Sequence, residues 1–397
     1  MPFRSGSVSY QRFRVQGPAP RRVDETLFQT LSQHVLGAFG SDGGPGQEGL
    51  RAGWCAGRHV LDTDFSMEKN AFEGSLLAAI RVDAAKVPAT VRRAYAAIAE
   101  GDPRTPRKAA RDEADRRGRA DVADGRWTRV GMVPFVWDLG SGALLAPVAG
   151  DALREAVRGL FERSVGCRVE RMGAGAVAAS LLPEGRVSDL DDLRPESLGQ
   201  VPAGAESAGP SVPWARAAGD GRDFLGNEFL LWLWWRSDVH GGEVETDGGT
   251  VDVRLQRSLD LECAHGVGGS TSLRGDAPAD STEAGRALLA GKWPRRAGLL
   301  VQSQGVGFEC VLQADRFAIS GLRLPPAEGP RGGRTALETR LGQVALFDET
   351  LNALFRAFLS LRTGAGWRST AESWRTWVRE RGVAAARAPR PEAALAT

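Results

Sequence analysis

The pattern of apolar and polar positions predicts alternating strands and helices in the first part of the chain. Apolar residues at every second position indicate strands, whereas apolar residues three and four positions apart indicate amphipathic helices. Asp24 and Pro88 stand where a helix N-cap and a first helical turn are favoured. The predicted elements are strands over 7–15, 76–82, 130–136, 143–148 and 165–171, and helices over 24–37, 88–100 and 151–166. Residues 1–182 are therefore predicted to form an α+β domain around an antiparallel sheet.

The same kind of pattern predicts a second α+β domain over residues 223–368. Its predicted elements are an apolar helix over 223–236, strands between 251 and 273, a helix over 282–289, strands over 298–304, 307–313 and 317–324, and a helix over 335–361. Trp232, Trp234 and Trp235 lie among leucines in the first of these helices. Exposed indoles can stack on nucleic-acid bases, but this apolar setting predicts that the three side chains belong to the core.

Two further segments differ from these domains in composition. Residues 183–222 are rich in Gly, Pro, Ala, Ser and Asp, which predicts a linker or insert between the domains. Residues 369–397 are predicted to form an extra helix and a disordered tail, and the composition favours disorder from residue 381 onwards.

Composition indicates a globular protein, with 42% hydrophobic and 25% charged residues and a net charge of +2. The four cysteines lie far apart without a CxxC pair, which argues against a disulfide framework or a zinc ribbon. No signal-peptide pattern opens the sequence, and the longest apolar run, 229–235, is too short to cross a bilayer. These features predict a cytoplasmic location and no membrane partner.

Positive charge is concentrated in one segment, at about residues 103–129, directly before the strand at 130–136. Its nine cations are Arg104, Arg107, Lys108, Arg111, Arg116, Arg117, Arg119, Arg126 and Arg129. Such a concentration favours binding of a polyanion. Five acidic residues lie between the cations, so a solvated helix with internal ion pairs is the alternative interpretation. The sequence predicts a long basic helical arm and leaves both interpretations open.

No catalytic constellation is visible in the sequence. Asp62 with Asp64, and the 189–192 segment, are carboxylate clusters of the kind that hold magnesium in nucleases, but their turn-like surroundings favour solvated or capping roles. Cys263 and His265 supply only two ligands in one strand, which do not make a zinc site. The sequence therefore predicts no metal, no cofactor and no enzymatic activity.

In the order of its segments, the chain resembles the bacterial recombination-associated protein RdgC family. The resemblance begins with the strand over 8–15, the pair Gly53-Trp54 and Lys86-Val-Pro88, and is sharpest over 125–142, GRWTRVGMVPFVWDLGSG. It resumes at 281–292, STEAGRALLAGK, and continues through the strands over 298–324 and the last helix over 344–364. About 250 of the 397 residues fall within it.

Proteins of that family are ring-shaped dimers that encircle DNA through a basic hole, bind single- and double-stranded DNA with little sequence preference, and restrain RecA-driven recombination. The resemblance implies a ring-forming homodimer, associated with the nucleoid, whose arm cations contact DNA together with Arg274 and Lys292. It also implies an indirect partner, a RecA-type recombinase. Trp127 stands in the place of the family's aromatic gate residue, so the resemblance implies a role at the dimer interface. Ordinary packing at a strand start is the alternative for this residue.

The chain also departs from the family pattern. Gly275-Asp276 stands where the family carries a basic pair, and Arg295 with Arg296 follows nearby. The 183–214 segment has no counterpart. Two alternatives to DNA encirclement therefore stand: a metal-dependent nuclease that uses Asp62, Asp64 or the 189–192 cluster, and a protein-interaction factor that has lost its DNA affinity.

Overall fold

A computed structural model describes residues 2–37, 49–101, 105–205, 209–217, 220–326 and 333–387. The chain is α+β, and its named strand pairs are antiparallel. The strands are β1 Val8–Gln16, β2 Gly49–Cys55, β3 Ala71–Phe72, β4 Ser75–Ala85, β5 Thr128–Asp138, β6 Ala143–Ala146, β7 Arg168–Arg171, β8 Glu243–Thr246, β9 Gly249–Cys263, β10 Ser270–Gly275, β11 Lys292–Ser303, β12 Val306–Gln313 and β13 Ala318–Arg323.

The longer helices lie where the sequence pattern predicts them. The helices are α1 Glu25–Ser32, α2 Met67–Asn70, α3 Ala89–Glu100, α4 Arg107–Ala123, α5 Asp151–Val165, α6 Ala174–Leu181, α7 Pro213–Ala217, α8 Phe224–Val239, α9 Thr282–Leu289, α10 Arg334–Arg362 and α11 Trp367–Arg387, with 3₁₀ turns at Glu184–Leu190 and Pro278–Asp280. Three short helices, α2, α6 and α7, were not predicted. The Asp24 side chain accepts a hydrogen bond from the backbone N–H of Leu27 at 2.9 Å, which confirms the predicted N-cap.

The chain divides into two compact units. Unit 1 comprises Phe13–Arg171, and unit 2 comprises Pro2–Arg12 together with the chain from Met172 onwards. In unit 1 the strand order is β1-β6-β5-β4-β2, with β7 beside β1 and β3 beside β4. Its core is aromatic: the Trp54 and Phe161 rings lie 4.9 Å apart between centroids, and those of Trp137 and Phe161 lie 5.4 Å apart, both edge to face.

In unit 2 the strand order is β10-β9-β11-β12-β13, followed by the first part of β1, and β8 pairs with β9. Helix α8 packs against β9 and β11. Trp232 and Trp234 on that helix are buried, which confirms the prediction that they belong to the core, whereas Trp235 is partly exposed. Along β9 and β12 buried residues alternate with exposed ones, so one face of the sheet packs on helices and the other face is accessible. We call the accessible side of β9–β13 the open sheet face.

The segment 183–222, predicted to be a linker or insert, follows the boundary at 171–172 and belongs to unit 2. Leu190, Leu198 and Val212 within it are buried. The backbone N–H of Gln200 donates to Leu289 O at 2.7 Å, so backbone pairing also fixes its course. A few buried apolar side chains suffice to dock a loop-rich segment on the rest of a unit. A prediction from average composition overlooks such residues when they are spaced among Gly and Pro.

The C-terminal segment also differs from the prediction. Helix α11 extends through Arg387, so residues 381–387, predicted to be disordered, are helical. Gly382 on this helix lies so close to Leu289 that a Cβ atom there would approach the leucine Cδ2 to 2.4 Å. Close packing against α9 therefore orders α11 in spite of its polar composition. The rest of the predicted tail, 388–397, lies outside the described residues.

Candidate nucleic-acid interface

Helices α3 and α4 form a helical hairpin, inserted between β4 and β5 of unit 1, in the segment for which the sequence predicts the basic arm. The buried positions of α4 include Ala110, Ala114 and Gly118, which are small. At Gly118 a Cβ atom would lie 3.1 Å from Val87 Cγ2, so the glycine permits a close approach of the two chain segments. Small residues on the inner side of α4 leave its long cationic side chains on the outer side.

Five cations of the predicted arm have no carboxylate partner within the described part of the chain, and all five are exposed. They are Arg107, Lys108, Arg111, Arg119 and Arg129. Arg104 lies outside the described residues. Charges that are solvated and lack a partner give up no internal ion pair when an external anion binds. This part of the predicted DNA-binding set is therefore available for an anionic partner.

The other arm cations are engaged with acids of the hairpin. Arg116 and Arg117 both bind Glu113, the latter through Nε at 2.8 Å from Oε1. Arg126 Nη1 lies 2.8 Å from Asp121 Oδ1. The prediction of a solvated helix with internal ion pairs therefore holds for these three arginines and not for the other five described cations.

Asp121 joins the hairpin to the start of β5. Its Oδ2 accepts from the Tyr95 hydroxyl at 2.5 Å and from Trp127 Nε1 at 3.1 Å, while Arg126 binds the other oxygen. These contacts lower the pKa of the Asp121 carboxyl, with the Tyr95 hydrogen bond as the largest cause and the Trp127 hydrogen bond next. A carboxylate at this position thus fixes both helices and the indole that follows them.

Trp127 has a backbone φ of +61°, in the left-handed region that bulky residues rarely occupy. Its side chain is 40% exposed despite the hydrogen bond to Asp121. A strained backbone and an exposed indole together are unusual for a residue whose only role is core packing. Neither the φ value nor the Asp121 hydrogen bonds could be inferred from the sequence, because nothing in the local pattern specifies them.

The two predicted contacts in unit 2 have partners within the protein. Arg274 on β10 donates to Asp260 on β9, with Nη1 2.8 Å from Oδ1. Lys292 Nζ donates to Thr271 Oγ1 at 2.9 Å. Both lie on the sheet of unit 2 and, unlike the five arm cations, are held by neighbouring strands.

The carboxylate clusters that suggested a nuclease have cationic partners. Lys69 Nζ lies 3.0 Å from Asp62 Oδ1, and the backbone N–H of Arg58 donates to Oδ2 at 2.8 Å. Burial by itself raises the pKa of Asp62, but these two contacts outweigh it and the net pKa is lowered. Within the described ranges no group of three or more His, Cys, Asp or Glu side chains is placed to hold a metal ion.

The second cluster is similar. Asp189 pairs with Arg186 at 2.9 Å, and Asp191 lies 3.5 Å from Arg222. In both clusters an arginine or lysine stands where a magnesium ion would need access to the carboxylate oxygens, so neither geometry supports the nuclease alternative.

No protein-family model matches this chain, and no curated protein matches it. Of the helices that the structure describes, none combines the length and apolar character needed to cross a membrane.

Proposed function

We propose that this protein binds DNA without sequence preference through the helical hairpin of residues 88–123 and the adjoining Arg129. The observation that carries the proposal is the set of five exposed cations that lack a carboxylate partner in the described chain. Lys108 and Arg119 are eleven residues apart on α4, which corresponds to about 16 Å along a helix. Duplex DNA carries one charge per about 1.7 Å of its axis, so several phosphates fall within that length.

Contacts of this kind position a protein on DNA without reading its sequence, since phosphates are the same at every base pair. The guanidinium group suits phosphate because its planar donors match two phosphate oxygens. Single- and double-stranded DNA are both expected partners, because each offers the same backbone anion.

In its fuller form the proposal is a DNA-encircling protein of the RdgC type: a homodimeric ring associated with the nucleoid, which modulates recombination by restraining a RecA-type recombinase. Its support is the succession of motifs across about 250 of the 397 residues. The exposed, strained Trp127 supports a role at an interface, since an indole can bury a large area in a partner surface.

Fluorescence anisotropy with one duplex and one single strand at about 50 and 200 mM salt tests the proposal. If the five exposed cations each contact a phosphate of the duplex, counterion release gives a slope of log K against log salt of about −4.5. Unrelated sequences should compete about equally. A slope near −1, or binding to one sequence only, would contradict the hairpin as the binding surface.

Absence of binding at both salts would favour the alternative of a protein-interaction factor that has lost its DNA affinity. The ion pair of Arg274 with Asp260 supports this alternative, because it neutralises a residue that was predicted to contact DNA. Magnesium-stimulated cleavage that disappears with Asp62→Asn and Asp64→Asn would establish the nuclease alternative.

A further inference from the structure

A groove crosses the open sheet face of unit 2 where irregularities in three strand pairs fall side by side. Between β9 and β11, three residues of β9, Gln256 to Ser258, stand opposite the single residue Gly298. Between β12 and β13, Glu309 pairs with Arg323 and Val311 pairs with Ser320, so an advance of two residues on β12 corresponds to three on β13. The register of β1 against β13 shifts at the same level. Bulges re-aim the side chains that they carry.

Small residues lie on both sides of this groove, next to the apolar residues Leu299 and Val311. Gly298 cannot carry a Cβ atom, which would lie 2.1 Å from Gln256 O, and Ser320 and Gly321 line the other side. The groove has a volume of about 170 Å³. A phosphate group is smaller than this space.

Two guanidinium groups converge on one carboxylate in the groove. Arg257 Nη2 lies 2.9 Å from Glu309 Oε2, and Arg323 Nη1 lies 3.0 Å from the same oxygen. Two cations against one anion leave a local excess of one positive charge. Both guanidinium groups remain more than half exposed, so an external anion can reach them.

Arg257 reaches Glu309 at a conformational cost. Its φ is +66°, in the left-handed region, and its side chain passes from β9 over β11 to β12. The other pairs on this face are simpler. Arg254 binds Asp252 on its own strand, and Arg274 binds Asp260 on the adjacent strand. The strained arginine distinguishes the Glu309 site from an ordinary surface ion pair.

We propose that Arg257 and Arg323 form a phosphate-binding site, and that the Glu309 carboxylate occupies it until a phosphate group displaces it. A carboxylate and a phosphate use the same guanidinium donors, but phosphate offers more oxygens and more charge. The donors are already oriented by the bulge, so binding requires little reorganisation. Where the phosphate belongs to a DNA backbone, the inference rests on the proposed function; where it is free phosphate, it does not.

The decisive variant is Glu309→Gln, which keeps the side-chain size and removes the competing charge. We expect the full-length variant to bind a single-stranded 20-mer about threefold to tenfold more tightly than the wild type, in anisotropy at about 100 mM salt. Adding Arg257→Gln to it should cancel the gain. Thermal unfolding of each variant checks that the fold is retained, and Arg323→Gln serves as the second probe if Arg257→Gln unfolds.

The matched control is Asp252→Asn, which frees Arg254 on the same face without touching the groove. An equal gain from this control would overturn the inference, because a general change of surface charge would then explain both effects. No gain from Glu309→Gln, while removal of hairpin cations weakens binding, would also overturn it and leave the proposed function standing.

Inorganic phosphate distinguishes the source of the group. A shift in thermal unfolding temperature by phosphate, larger in Glu309→Gln than in the wild type and absent with chloride at equal ionic strength, would assign the site to free phosphate. A gain with DNA alone would assign it to the nucleic-acid backbone. If neither the wild type nor the variant binds DNA, the proposed function fails, and the phosphate experiment alone then tests the site. The absence of a shift in unfolding temperature with phosphate would then overturn the inference.

Discussion

The helical hairpin of unit 1 and the open sheet face of unit 2 both carry several arginines, but the two surfaces differ in how many of these are paired with acids. On the hairpin and the strand that follows it, five cations of the predicted arm have no carboxylate partner among the described residues. On the sheet, Arg254, Arg257, Arg274, Arg295 and Arg323 each bind an acid, whereas Arg296 is exposed and makes no ion pair with a described residue. The count of positive residues therefore does not indicate which surface is free to attract a polyanion.

Backbone geometry explains the difference. On a helix an acid reaches cations only three or four positions away, and Glu113 binds both Arg116 and Arg117, so one acid is shared. On a sheet each residue has neighbours across both adjacent strands, and these bring acids from distant sequence positions. A mixed run of charges on a helix leaves some cations single, whereas the same composition on a sheet is largely neutralised.

The largest expected effect comes from removing the free hairpin charges. The triple variant Arg107→Gln, Lys108→Gln, Arg111→Gln should weaken DNA binding by about a hundredfold at about 0.1 M salt, and should make the slope of log K against log salt shallower by about 3. Anisotropy titrations with several DNA sequences measure both quantities, and the loss should be the same for each sequence.

The matched comparison is the sheet variant Arg254→Gln, Arg274→Gln, Arg295→Gln, which removes as many charges from paired positions. We expect its affinity to change by less than about threefold, because these cations already bind carboxylates. Equal losses from the two triple variants would mean that pairing does not distinguish the surfaces.

A smaller effect is expected from Glu113→Gln, which releases two arginines on the hairpin. Surface ion pairs contribute up to about 1 kcal/mol, so DNA binding should tighten by about threefold to fivefold, with a steeper salt dependence. Glu162→Gln on α5, which removes the nearer of the two acids that pair with the exposed Arg158 elsewhere in unit 1, is the control. Weaker binding by Glu113→Gln would show that the glutamate orders the hairpin more than it masks charge.

The smallest effect concerns Asp260 on the sheet. Burial raises its pKa, but the hydrogen bonds from Arg274 and Ser272 outweigh burial, so the folded-state pKa lies below the ordinary value. The carboxylate therefore stabilises the fold above about pH 4, and this contribution is lost as pH falls through the folded pKa. The wild type should exceed Asp260→Asn by less than about 1 kcal/mol in unfolding free energy at pH 7. Urea titrations should show this difference vanish at low pH, and a difference that grew on acidification would contradict the sign.

Much of the fold could be predicted from local pattern. Most of the longer strands and helices of both units occur where alternation, helical spacing and capping residues predict them, as at Asp24 and along 282–289, whereas β2, β8 and α6 were not predicted. The docking of 183–222 and the full length of α11 could not be predicted, since both depend on packing against residues distant in sequence. Composition gives only the average residue content of a segment and does not show which few side chains become buried.

The candidate site was predictable only as a charged segment. Which cations lack partners depends on Glu113, which binds two arginines within α4. It depends also on Asp121, which is held by Tyr95 as well through the packing of α3 on α4. The left-handed backbone of Arg257 and its pairing with Glu309, fifty-two residues later, arise from a bulge that no local signal marks. DNA binding remains a prediction that the experiments above address, and the ring and the recombination role also remain predictions.

Leu198 and Val212 are buried, and the backbone of Gln200 pairs with that of Leu289. These contacts determine where the polypeptide chain can be truncated or cleaved without disrupting unit 2. A chain that begins at residue 223 would lack buried side chains and expose apolar surface, whereas a break at 171–172 falls at one of the two boundaries between the compact units, the other being at 12–13. Since cooperative unfolding follows contacts and not composition, a protease nick within 183–222 should leave the fragments associated until unit 2 itself unfolds.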